Sequence, residues 1–283
     1  MPASSATEPV SRLPRADGVT PNPRLTTLAP SPDVAWAGLI WTLIRTDFKA
    51  RYHGTASGFV WALLKPTAMF LVLVAVFSFI FHGDPNYKLN LILGLFLWDY
   101  FADATKTGMT SLSAKGFLVA KARFPRWIVV VTSLANAGIT ILVFATAFSV
   151  YLVVAGYQPG YRGLLALTGY LTALTAIIVG ISLASSVLFL RFRDLNQIWD
   201  MAIQAGFFLS PVIYPLGVIP ERYHAALYLW PPTPVIEFSR SALIGGVLPS
   251  ATGHACLALM AGGILVIGAM VYVRYAPRAA EYV

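Results

Sequence analysis

Few residues of this sequence stand where they could do chemistry, and the most conspicuous are Asp99 and Asp103. They lie one helical turn apart, hence on a shared helix face, with Lys106 three residues further on. The run from Leu89 to Ala102 is otherwise apolar but for Asn90. A charge held in such a setting costs about 2.5 to 3.5 kcal/mol on membrane-insertion scales, so a carboxylate kept there is a functional candidate. Two roles fit: proton coupling, or a structural or pore-lining position in which Asp103 pairs with Lys106 and Asp99 meets water or a neighbouring helix. Other chemistry lacks its residues. There is no Gly-rich phosphate loop ending in Gly-Lys-Ser/Thr and no His-Glu-x-x-His. His53, His82, His224 and His254 are dispersed without ligand spacing, so no metal site is expected. The single cysteine, Cys256, excludes a disulfide within the chain and a Cys-based zinc site.

The elements that must position these residues are membrane helices. Of 283 residues, 57% are apolar and 11% charged, which points to an integral membrane protein. The net charge of +8 would raise nucleic-acid binding in a soluble chain, but the basic residues fall between long apolar runs, where they orient the chain instead, and no nucleic-acid partner is expected. Residues 1–32 are rich in Pro, Ser, Thr and Ala with no apolar stretch, and read as a disordered tail without a secretory signal. Residues 33–53 follow with Leu39, Ile40, Leu43, Ile44 and Phe48, the tryptophans Trp36 and Trp41, and then Arg45, Lys49 and Arg51. This is an amphipathic basic helix suited to the headgroup plane of membrane lipids.

A crossing needs about 20 mostly apolar residues. Six runs qualify within residues 54–283: about 58–81, 89–109, 127–155, 163–190, 198–218 and 251–273. The fold class expected is therefore an all-α integral membrane protein with six transmembrane helices. Arg45, Lys49, Arg51, Lys115, Lys121, Arg123, Arg126, Arg191, Arg193, Arg274 and Arg278 fall on one side, with the tail arginines. The other side holds only Lys88, Arg162, Arg222 and Arg240. Positively charged loops stay inside, so both termini are expected in the cytoplasm and the 219–250 segment outside.

Three connections are more than tethers. Ser111 to Arg126 sets Leu112, Phe117, Leu118 and Val119 among cations, which suits a short helix docked in another protein's groove. Arg191, Phe192, Arg193 and Asp194 form a second, shorter knob. In the fifth span Pro211 and Pro215 remove backbone donors four residues apart, so the helix must bend or stop there. Broken backbone at membrane depth requires protein or a water-filled cavity against it. The 219–250 segment then either re-enters the outer leaflet as short helices, with Tyr223, Tyr228 and Trp230 at the interface, or forms an external loop.

Four stretches together resemble the permease subunits of type-2 ATP-binding-cassette exporters, especially the Wzm-like and TarG-like branch that exports lipid-linked polysaccharides such as O-antigen, capsule and teichoic acid. They are Arg45 to Pro66, containing Arg-x-Asp-x-Lys-x-Arg-Tyr, Ser-Gly-x-x-Trp and Lys-Pro; Gly94-Leu-Phe-Leu-Trp98; Phe117 to Pro125; and Phe208 to Pro215 with Ile219-Pro220. The resemblance covers about residues 33–275, departs at Thr55-Ala56-Ser57 and leaves the Pro-rich tail unmatched.

The resemblance implies a homodimer of this permease in the cytoplasmic (inner) membrane, above two copies of a separate ATPase that binds ATP and magnesium; no cofactor is expected in this chain. It assigns coupling to Arg45, Asp47, Arg51, Tyr52, Lys115, Phe117, Lys121, Arg191, Arg193 and Asp194 on the interface helix and the two cytoplasmic coupling segments. It makes outer re-entrant helices of 219–250 and a gate of Pro211 and Pro215. Sugar C–H faces stack on aromatic rings, and Trp61, Trp98, Phe101, Phe208 and Tyr214 are the expected channel rings, each equally suited to be a lipid-facing anchor. Two other functions stay open: export of a small lipid or drug on the same scaffold, and a membrane-embedded glycosyl or acyl transferase using Asp99 and Asp103.

Overall fold

The computed structural model describes residues 32–52, 60–121, 125–154 and 156–277, and among these every regular element is helical. The expected tail and the stretch 53–59, with its Ser-Gly motif, lie outside the described residues. The chain forms two compact units, 1–39 and 40–283. Of the first, Pro32 to Leu39 is described, as the opening turns of α1 (Pro32–Tyr52). Proline suits that first position because its missing N–H has no partner in a helix anyway.

The second unit continues α1 and adds α2 (Val60–Phe77), α3 (Tyr87–Ala114), α4 (Gly116–Lys121), α5 (Trp127–Val154), α6 (Tyr161–Arg191), α7 (Leu195–Leu209), α8 (His224–Tyr228), α9 (Pro232–Leu243) and α10 (Ala251–Tyr275). Its core is built around α3, whose Leu91, Leu95, Leu97, Phe101, Met109 and Leu112 are fully buried. α5 and α6 flank α3 along its length, with α2, α7 and α9 against other parts of it and α10 on the far side of α6. Phe96 of α3 stacks on Phe144 of α5 at 4.5 Å between ring centres, a contact that adds to the burial of both rings.

Small residues set the closest approaches. A Cβ on Gly108 would run into Ser182, one on Gly163 would lie 2.5 Å from the Ala242 carbonyl, and one on Gly180 would lie 2.5 Å from that of Ile264. At the α6–α10 crossing a Cβ on Gly268 would overlap the Gly180 carbonyl. Within lipid, helix association depends on such backbone proximity, since burying apolar surface gains little there. Gly268→Ala should therefore cost about 1 to 3 kcal/mol through overpacking against backbone that cannot swing aside. Gly262→Ala, on the same helix with open space around it, should leave the unfolding midpoint in detergent nearly unchanged.

α5, α6 and α10 are long and apolar enough to cross a membrane. They correspond closely to the expected third, fourth and sixth runs. The other three differ in instructive ways. α3 extends the expected 89–109 span to 28 residues and carries charge in its second half. α2 stops at Phe77, with tight turns from Ser78 onward in place of helix up to residue 81. The expected 198–218 run is not one helix: α7 ends at Leu209 after 15 residues. There Pro211 offers no N–H, and the chain folds into a tight turn with Val212 N–H donating to the Ser210 carbonyl at 2.7 Å.

Single 3-10 turns at Leu216–Val218 and Glu221–Tyr223 lead from this break to α8 and α9. α9 buries Val235, Ile236 and Leu243 against α3 and α6. Trp230, expected at an interface, is instead packed inward: Gly206 leaves it room, its ring meets Phe101 edge-on at 6.1 Å, and Tyr223 is the exposed aromatic of this segment.

Candidate functional site

α3 is about 42 Å long at 1.5 Å per residue, and it carries a different polar assembly near each end and a third between them. At its C-terminal end the expected coupling segments meet. Lys115 Nζ donates to Asp47 of α1 at 2.5 Å and to Ser133 Oγ of α5 at 2.9 Å. Both partners of the ion pair are largely buried, at 14% and 17% exposure, so its strength is less screened than that of a surface pair. Arg193, from the α6–α7 elbow, donates to Ser113 Oγ at 2.7 Å. Arg126 donates to the Ala276 carbonyl at 2.6 Å, capping the end of α10 where orphan carbonyls gather.

The three segments thus form one platform, although Lys115 and Asp47 are 68 positions apart in sequence and Arg193 and Ser113 are 80 apart. On it Phe117 is 71% exposed. Arg191 lies over the Phe192 ring and Arg193 over that of Phe189, while Arg45 and Asp194 face solvent. Tyr52 and Lys121 belong to α1 and α4, but their side chains lie outside the described residues, as does Arg123.

Between the ends, α1, α2, α3, α5 and α7 line a cleft of about 370 Å³, open on one side. Its charged residues are Arg51, Lys65, Asp99, Asp103, Lys106 and Asp200, and its aromatic ones Trp61, Tyr100 and Phe144. Asp103 does not pair with Lys106 as its spacing suggests. It accepts from Arg51 of α1 at 2.6 Å, while Lys106 pairs with Asp200 of α7. An i,i+3 pair on one helix is worth only a few tenths of a kcal/mol, and here the packing brings each group a partner from another helix. These pairs are 34% to 46% exposed, so they orient α1, α3 and α7 more than they stabilise them. Nearby, Trp199 Nε1 donates to Thr105 Oγ1 at 3.1 Å, and Tyr100 and Thr175 hydroxyls meet at 3.0 Å.

Near the N-terminal end of α3 stands a residue that the sequence suggested was a loop cation. Arg240 of α9 is 7% exposed. Its guanidinium donates to the carbonyls of Asn90 at 2.9 Å, Val212 at 2.7 Å and Pro211, and pairs with Glu237 at 3.2 Å. The fork-shaped group thereby satisfies the Pro211 and Val212 carbonyls at the break and ties them to α3 through Asn90. Gly94 makes this possible, since a Cβ there would lie 2.5 Å from the Arg240 Nη2. Tyr87 adds a hydroxyl bond to the Ile213 carbonyl at 2.9 Å. Burial pushes the Glu237 carboxyl above the usual carboxylate range, and the charge of Arg240 opposes that shift.

The expected channel rings separate into two groups. Trp98 and Phe101 are 4% and 0% exposed, locked among Phe207, Trp199 and Trp230, and present no open face to a ligand. Trp61 in the cleft and Phe208 at the end of α7 are open, at 59% and 64%. Tyr214 lies between these extremes and donates to the Phe208 carbonyl at 2.9 Å. Pro215 begins the 3-10 turn after the break at Pro211. The sequence reading gave no site role to Lys65, Gly94, Asp200 or Arg240. The available signal for the last was Glu237 three residues before it, an ion-pair spacing in an apolar, Pro-rich stretch.

Residues 38–244 match the ABC-2 type transporter family. Relatives include the O-antigen export system permease protein RfbA of Myxococcus xanthus, 30% identical over 199 residues, 69% of this chain and 75% of that protein. RfbA of Klebsiella pneumoniae is 27% identical over 211 residues, 74% and 82% of the two chains. The polysialic acid transport protein KpsM of Escherichia coli is 24% identical over 237 residues, 81% and 90%. The matched region takes in platform, cleft and the Arg240 brace alike, and the chain belongs to the ABC-2 type transporter family, as a membrane-embedded permease subunit without catalytic chemistry of its own.

Proposed function

We propose that this chain is the membrane conduit of an exporter that moves a lipid-linked polysaccharide across the cytoplasmic membrane, driven by a separate ATPase. The observation that carries the reading is the match, over most of the chain, to permeases named for O-antigen export and polysialic acid transport. In this reading two copies of the permease enclose the path and two ATPase subunits, which hold ATP and magnesium, sit on the cytoplasmic side with both chain termini. α2, α3 and α7 complete six crossings with α5, α6 and α10, α7 doing so together with the broken stretch up to residue 218. The 219–250 segment forms the outer re-entrant helices, and Pro211 and Pro215 the gate between them and α7.

The platform receives ATPase motion. Phe117 and Arg191 present exposed surface for docking, and Asp47–Lys115 and Arg193–Ser113 hold α1 and the elbow to the end of α3. Movement there reaches the cleft along α3, because Arg51 and Asp200 clamp the same helix about two to three turns away. Trp61, Phe208 and Tyr214 are the rings on which a sugar chain slides. Reconstituting the permease with its ATPase in liposomes checks this. ATP-dependent transfer of a lipid-linked glycan into the vesicle lumen is expected; absence of both translocation and glycan-stimulated ATP turnover would overturn it.

A further inference from the structure

The described lining of the cleft carries three cations, Arg51, Lys65 and Lys106, and three carboxylates, Asp99, Asp103 and Asp200. The described lining is therefore neutral in formal charge. Two of each sign are joined in the Arg51–Asp103 and Lys106–Asp200 pairs. Asp99 and Lys65 remain. They come from α3 and α2, lie close enough for their charges to act on each other, and among the described residues neither has a hydrogen-bond or ion-pair partner. Asp99 is half-buried and Lys65 exposed, both on the cleft wall beside the open face of Trp61.

Such a set has a definite chemical preference. A carboxylate accepts two hydroxyl donors, an ammonium donates to hydroxyl and ring oxygens, and an indole face covers the C–H side of a pyranose. A polyanion would gain nothing from a cleft without net positive potential and would set its charge against Asp99. We propose that this cleft selects an uncharged, hydroxyl-rich sugar chain over an acidic one, with Asp99 and Lys65 reading its hydroxyls and Trp61 carrying its apolar face. The inference rests on the export reading above and narrows its substrate class.

The test uses the permease with its ATPase in nanodiscs of uncharged lipid at low salt, probed with maltoheptaose and with an oligogalacturonate of the same length. Maltoheptaose should bind at least about tenfold more tightly. Asp99→Asn, which removes one charge-assisted acceptor and leaves the cleft net positive, should weaken maltoheptaose about tenfold and strengthen the acidic probe. Lys65→Gln should weaken both, the acidic one more. Unfolding midpoints of the two variants serve as the control for folding. Equal binding of the two probes by the unmodified protein, or a preference untouched by Asp99→Asn, overturns the proposal. If the acidic probe alone binds and stimulates ATP turnover, the selectivity falls and the export reading stands; if neither probe binds, the selectivity falls, and the export reading stands or falls on the lipid-linked glycan in liposomes.

Discussion

Arg240→Met should destabilise the purified permease by about 3 to 5 kcal/mol, the largest stability loss expected from a single substitution in this chain. Methionine fills the aliphatic part of the site but takes the donor from the carbonyls of Pro211 and Val212, removes the tie to the Asn90 carbonyl of α3 and leaves Glu237 without its cation. Each orphaned buried acceptor costs about 1 to 3 kcal/mol. Arg240→Lys should recover only part of the loss, since an ammonium on a flexible stem cannot reach three carbonyls in divergent directions. Glu237→Gln should cost less than either, because the three backbone acceptors keep their donor. Thermal or denaturant unfolding in detergent measures all three. A loss below about 1 kcal/mol for Arg240→Met would show that the broken backbone is held by packing alone.

The second large effect is on transport. Lys115→Asp places two carboxylates where Lys115 and Asp47 now meet at 2.5 Å, and like charges set together at a partly buried contact cost several kcal/mol. α1 and the end of α3 should part, and the platform should no longer move as one piece. Under the export reading, glycan moved per ATP hydrolysed should fall at least about tenfold while the ATPase still turns over. The exchange Asp47→Lys with Lys115→Asp restores opposite charges and should recover much of the loss, with Ser133 Oγ then facing a carboxylate it can donate to in place of the ammonium. If the single reversal left glycan per ATP unchanged, the pair would be irrelevant to coupling.

Much of the helical plan is legible from local pattern. The apolar runs of α5, α6 and α10 announce their own length, since each crossing must satisfy its backbone within itself and cover itself in apolar side chains. The break after Leu209 is equally local, because a proline lacks its N–H wherever it stands. The polar interior is a different matter. Asp103 and Lys106 look like partners along the chain, yet each pairs with a residue 52 or 94 positions away. Trp98 and Phe101, which look like channel rings, are sealed in the core by α7 and Trp230. Arg240, taken from its position as a loop cation, is the brace of the broken helix.

Apolarity, prolines and the clustering of cations are properties of short segments, so the sequence alone determined that this is a helical membrane protein, where α5, α6 and α10 run and where the chain must break after Leu209. Which aspartate meets which cation, which aromatic ring stays open and which glycine admits a guanidinium depend on side chains from distant helices arriving within a few ångströms of one another. Those distances come into being only when the helices pack, and so the tertiary structure alone decided the neutral cleft, the platform and the Arg240 brace.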